Sequence, residues 1–152
     1  MLKKIILGCV ICVALFSLTG CKEKQVEGTL EEIMTKVYAD IPEDERPMML
    51  TNTELTKDNI ENYLGTKDIE YKEALASESA VGSIAHSVVL VRMKDGADIE
   101  SAKKKIKESV NPRKWVCVEA EKVVVKNKGN LIILIMSSSD YTKKIENSFD
   151  NL

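Results

Sequence analysis

The sequence predicts an α+β domain: a small antiparallel sheet of about four strands with helices packed over it, preceded by a cleaved signal peptide. Three observations predict it. Apolar residues recur at helical spacing in residues 30–41, 99–110 and 141–152. The runs "SVVLVRM" and "LIILIM" are apolar on both faces, as buried strands are. The stretch "NKGN" before "LIILIM" has the composition of a hairpin turn. The elements read in the order α-α-β-β-α-β-β-α, for which a sheet covered by helices is the natural two-layer solution.

Residues 1–20 read as the signal. Lys3 and Lys4 form a positive start, and residues 5–16 are apolar. That run is shorter than the roughly 20 apolar residues a stable bilayer span needs. Leu18-Thr19-Gly20-Cys21 resembles the lipobox of bacterial lipoproteins: Leu, a small residue, Gly or Ala, then Cys. The resemblance implies that signal peptidase II recognises Leu18, Thr19 and Gly20. It also implies cleavage after Gly20 and a diacylglyceryl thioether on Cys21. Each buried CH₂ of the acyl chains adds about 0.8 kcal/mol of membrane affinity, so two chains anchor firmly. The expected location is therefore the cell membrane, on its extracytoplasmic face. Cys9 and Cys12 lie in the apolar run and read as filler, removed with it. The mature chain then keeps Cys21 and Cys117, and acylation of Cys21 leaves no intramolecular disulfide.

Cleavage leaves 132 residues, enough for one domain that folds without staples. The chain carries 22 basic and 24 acidic side chains; losing Lys3 and Lys4 leaves 20 against 24, a net charge of −4. Nucleic-acid binders are usually basic, so that class is disfavoured. Aromatic residues make up only 5%, which argues against a carbohydrate cleft built on aromatic platforms.

Residues 21–28, "CKEKQVEG", read as a polar tether, and residues 29–152 as the domain. Thr29 and Glu32 have capping-box spacing, and Leu30, Ile33, Met34, Val37, Tyr38 and Ile41 form one apolar stripe before Pro42 ends the helix. The next stretch, with Pro42 and Pro47, reads as irregular, with Met48, Met49 and Leu50 dipping into the core. Thr56 is placed to cap a short helix that buries Ile60, Tyr63 and Leu64, with Gly65 as its C-cap. "DIEYKEALAS" reads as an outer strand with Ile69, Tyr71 and Leu75 on one face. "SIAHSVVLVRM" reads as a central strand. Asp98 caps a helix through Val110, which Asn111-Pro112 ends. Val123 to Lys126 and Leu131 to Met136 form the hairpin, and Ser138 or Ser139 caps the last helix, with Tyr141, Ile145, Phe149 and Leu152 in register. The order contains two β-β-α units.

Three stretches carry a resemblance to a family: "NIENYLGTKDIEYKEALAS", "AHSVVLVRMKDGADIESAKKKIKE" and "VVVKNKGNLIILIMSSSDYTKKIENSF". They are similar to a domain of unknown function, number 4358 in that series, found in lipoproteins of Gram-positive bacteria. The likeness covers roughly residues 29–150. Leu64 stands where the family has an aromatic residue beside Gly65, and residues 111–121 are shorter than its helix-to-hairpin connection. The motifs are structural, so the resemblance implies no catalytic residues.

The reactive side chains are few. His86 is the single histidine and lies in the central strand, where it reads as partly buried and hydrogen-bonded. A base or metal ligand there would need partners. Cys117, after Trp115 near a strand start, reads as a small buried hydrophobe; a Cys117–His86 dyad is its catalytic alternative. The serines at 137–139 lack a nucleophile-elbow pattern and read as a cap. "DGADIE" lacks the liganding period of a calcium loop. Lys103, Lys104, Lys105, Lys107, Arg113 and Lys114 form a basic cluster, read either as a solvated face or as a contact for anionic headgroups or wall polymers. The expectation is an anchored, non-catalytic binding or accessory module with an envelope protein or wall polymer as partner and no metal or cofactor. A small envelope hydrolase using His86 and a solute-binding component are the alternatives.

Overall fold

The computed structural model describes residues 25–152. The signal, the lipobox residues Leu18, Thr19 and Gly20, and Cys21 lie outside the described residues.

The described residues are α+β, as expected, with five strands in place of about four. Helix α1 spans Leu30–Val37, β1 Leu50–Glu54, α2 Ile60–Leu64, β2 Tyr71–Ser79 and β3 Ser87–Met93. Helix α3 spans Ile99–Ser109, β4 Lys122–Lys128, β5 Leu131–Ser137 and α4 Ser139–Asp150. A short 3-10 turn covers Glu43–Glu45. The sheet order is β1-β2-β3-β5-β4, and every neighbouring pair is antiparallel. β1 falls in the stretch expected to be irregular, and it makes β2 an inner strand where an outer one was expected. "LTNTE" carries no apolar alternation; backbone pairing with β2 holds it, not burial of its side chains.

Alternation divides the sheet between two cores. Leu75, Val88, Leu90, Leu131, Ile133 and Ile135 meet α1 and α4 on one face. Ala76, Val89, Val91, Ile132, Leu134 and Met136 meet α2 and α3 on the other. Helices therefore cover both faces, and the layer count is three, not two. The two β-β-α units send their helices to opposite faces. This explains why residues 88–91 of β3 and 131–136 of β5 are apolar on both sides: neither side of these stretches sees water.

The caps follow sequence closely. Glu32 N–H donates to Thr29 Oγ1 at 3.2 Å and Thr29 N–H to Glu32 Oε2 at 3.1 Å, a complete capping box. Helix α1 stops at Val37, earlier than its apolar stripe, though Tyr38 and Ile41 stay buried beyond it. Asn59, not Thr56, is the N-cap residue of α2; Thr56 Oγ1 instead accepts from Asp58 N–H in the preceding turn. Ser138 caps α4, and Ser139 N–H also donates to Glu121, which holds that carboxyl below its usual range.

The described part of the expected tether is docked. Val26 is buried against the α1 and α4 core. The Arg92 guanidinium donates to the carbonyls of Val26 at 2.7 Å and Gly28 at 2.8 Å, and pairs with Glu73 at 2.6 Å. Asn130 N–H donates to Gln25 Oε1. The chain thus enters at the end of the sheet that carries the β4–β5 turn.

Candidate functional site

A cleft of about 610 Å³ opens at the opposite end of the sheet. One wall is the α1 face of Met34, Thr35 and Tyr38. The floor is the β1–β2 edge, at Leu50, Asn52 and Ser77, and the other wall is the loop from Glu43 to Met49. Leu50 and Asn52 pair with Ser79 and Ser77, which places them on the same sheet face as Leu75, under α1. The cleft exists because α1 is short and leaves the edge strand half uncovered.

Met48 and Met49 form the rim. They were expected to dip into the core; they are 68% and 66% exposed instead. Their backbone is held firmly. Ser79 Oγ donates to Met48 O at 2.7 Å, and Ala80 N–H donates to Met49 O at 3.0 Å. Met49 sits at φ 53°, a conformation that costs a non-glycine residue about 1–2 kcal/mol. Two exposed methionines are therefore fixed at the mouth of the cleft, at some expense in backbone strain.

Behind the cleft lies a buried polar chain. His86 precedes β3 and is 1% exposed. Its Nε2 is 2.7 Å from the Tyr38 hydroxyl and its Nδ1 is 2.7 Å from Ser137 Oγ. A neutral imidazole offers one donor and one acceptor, so one hydroxyl donates to it and the other accepts. Burial lowers its pKa from 6.5 to about 4. Burial likewise drives the Tyr38 phenol far above its usual range, against smaller opposing effects of Ser77 and Arg46. Tyr141 meets the imidazole edge-on at 5.7 Å. Arg46 lies over the Tyr38 ring at 5.5 Å and donates to the carbonyls of Ile41 and Tyr38, which folds the 42–49 loop onto α1. The arrangement ties α1, β3 and β5 together with neutral groups. It presents no free ring nitrogen to the cleft.

Cys117 stands elsewhere. It is exposed, in the loop before β4, at φ 60°, beside Trp115, Val118 and Glu119. The expected burial near a strand start is not found, because β4 begins five residues later. Both ring nitrogens of His86 are engaged by hydroxyls, so no Cys117–His86 dyad is assembled. Among the described residues no group of His, Cys, Asp and Glu could hold a metal ion.

The chain matches no family model, no curated protein and no solved structure.

The basic cluster is largely neutralised by neighbours. Lys103 pairs with Glu100 at 2.7 Å, Lys105 with Asp68 at 2.6 Å, Arg113 with Glu119 at 3.4 Å and Lys114 with Glu78 at 2.8 Å. Lys114 also lies over the rings of Tyr63 and Trp115. No helix among the described residues is long and apolar enough to cross a membrane.

The sequence could not reveal the cleft, because its residues come from α1, the 42–49 loop, β1 and β2. The one local signal was Met48-Met49 between two prolines and a polar stretch, an apolar pair with no helical or strand phase.

Proposed function

We propose that the protein is a lipid-anchored extracytoplasmic module without enzymatic activity. Acyl chains on Cys21 hold it at the outer face of the cytoplasmic membrane, and the cleft between α1 and β1 is its working surface. The observation that carries this reading is the placement of the two ends. Gln25, four residues after Cys21, docks beside Asn130, whereas Met48 and Met49 rim the cleft at the far end of the same strands. An anchored domain entered this way turns its cleft away from the lipid. The resemblance to the lipoprotein domain of unknown function belongs to the same reading. A hydrolase using His86 is less well supported, since that imidazole is buried, neutral and fully bonded. A solute-binding component would favour an enclosed cavity, and this cleft is open along β1.

The test is membrane partition of the full chain and of Cys21→Ala, with a labelled fatty acid fed to the cells. The expected result is label on the native protein and its sedimentation with membranes, both lost in the variant. Unchanged sedimentation of Cys21→Ala overturns the anchor.

A further inference from the structure

The outer side of β1 is an open sheet edge, and it borders the cleft. In the β1–β2 ladder Leu55 N–H donates to Ala74 O and Ala80 N–H donates to Met49 O. Antiparallel alternation then directs the backbone groups of Thr51 and Thr53 toward β2, and those of Leu50, Asn52 and Glu54 outward. The outward carbonyl of Glu54 is taken by Asn59 Nδ2. The N–H and C=O of Asn52 and Leu50 have no partner among the described residues.

The two edges of the sheet are treated differently. β4 carries Lys122, Lys126 and Lys128, and Lys126 is held between Glu146 and Asp150. Edge lysines discourage strand addition. β1 carries no lysine, proline or bulge; its five residues "LTNTE" pair with β2 in unbroken register.

Charge selects the occupant. Glu43 and Asp44 at one end of the cleft, and Glu54 at the far end of β1, are exposed and belong to none of the ion pairs among the described residues. Among the described residues the one cationic group lining the cleft, Arg46, is turned onto carbonyls and the Tyr38 ring.

We infer that β1 and the adjoining cleft bind an extended segment of a partner protein, added to the sheet as a sixth strand, with apolar side chains against the exposed Met48 and Met49 and basic residues flanking them. Backbone hydrogen bonds to Leu50 and Asn52 supply the register, and alternate side chains reach the cleft. The thioether side chains suit varied apolar residues because they are unbranched and polarizable. The inference deepens the reading of the cleft as the working surface; it does not depend on the anchor.

The probe is a synthetic blocked peptide, Lys-Val-Thr-Leu-Lys-Val-Lys, titrated into the full chain. The expected result is saturable binding with Kd below about 1 mM, weakened about tenfold by Asn52→Pro, which deletes one outward N–H worth about 1.4 kcal/mol. Asn52→Ala keeps that N–H but removes a side chain from the cleft floor, so it weakens binding by less than Asn52→Pro does. A Glu-for-Lys version of the peptide binds at least about tenfold more weakly. Equal binding by Asn52→Pro, or equal binding of the acidic peptide, overturns the inference. So does concentration-dependent dimerisation of the chain that Asn52→Pro abolishes, since the edge would then serve a second copy. Cys21→Ala leaves peptide binding unchanged, so loss of the anchor and loss of the edge site are read apart. A Met48→Ser, Met49→Asn chain, which removes the thioethers without adding charge, should bind more weakly; native affinity in that chain overturns the cleft as the contact surface.

Discussion

At the scale of single residues, His86 is the most consequential polar group in the core. Its Nε2 and Nδ1 join Tyr38 of the α1 end to Ser137 of β5, so one imidazole fixes the helix over the sheet. The pH dependence follows from its lowered pKa of about 4. Above pH 6.5 the imidazole is neutral folded and unfolded, and its full contribution is present. As pH falls from 6.5 towards 4, the unfolded chain takes up a proton that the native chain refuses, so stability declines. The shift corresponds to about 3 kcal/mol at its limit. Urea midpoints at pH 7 and pH 5 should therefore differ for the native chain by more than for His86→Gln, which has no proton to bind. An equal decline in both would place the acid sensitivity in the carboxylates.

At the scale of elements, sequence pattern revealed the parts that are locally encoded. Thr29 and Glu32, Asp98 and Ser138 announce three helix starts by capping chemistry, and the two-faced apolarity of β3 and β5 announces their central places. β1 was not legible, because a leucine followed by four polar residues becomes a strand only when β2 lies beside it. The exposure of Met48 and Met49 was hidden for a related reason: an apolar side chain outside any periodic pattern does not say which way it faces. Gly65 shows a signal read correctly but incompletely. Its φ of 71° makes it the C-cap of α2, as its position suggested. In addition, a Cβ there would stand 2.0 Å from Ser109 O and 2.8 Å from Val110 N, at the end of α3. Gly96 has a similar φ of 78° with nothing within 4 Å. Gly96→Ala should thus cost only the backbone term, about 1–2 kcal/mol. Gly65→Ala should cost at least about 2 kcal/mol more, because two helix ends must separate. Denaturant midpoints of the two variants check this; equal losses would mean that the α2–α3 junction yields freely.

At the scale of the whole molecule, the five strands separate the docked segment that starts at Gln25, where the proposed anchor would join, from the cleft. Arg92 clamps Val26 and Gly28 beside Lys94 and Asp95, at the end where β3 finishes and β5 begins. The cleft lies where β3 begins and β5 finishes. A seven-residue strand rises about 3.3 Å per residue, so about 20 Å separates the two ends. If Cys21 is anchored as proposed, the four residue steps from Cys21 to Gln25 reach at most about 14 Å when extended, too little to let the domain turn over freely. The orientation that the proposed anchor implies can be measured on the full chain in membranes, with Cys117→Ser removing the exposed thiol. A fluorophore on Asp95→Cys should be strongly quenched by a lipid-borne quencher, and one on Met48→Cys weakly. Adding Arg92→Ala, which releases the docked segment and costs about 1–3 kcal/mol through lost charged hydrogen bonds, should narrow the difference. Equal quenching at both positions in the native background would mean that the sheet lies flat on the membrane. The open edge of β1 would then compete with lipid for its partner.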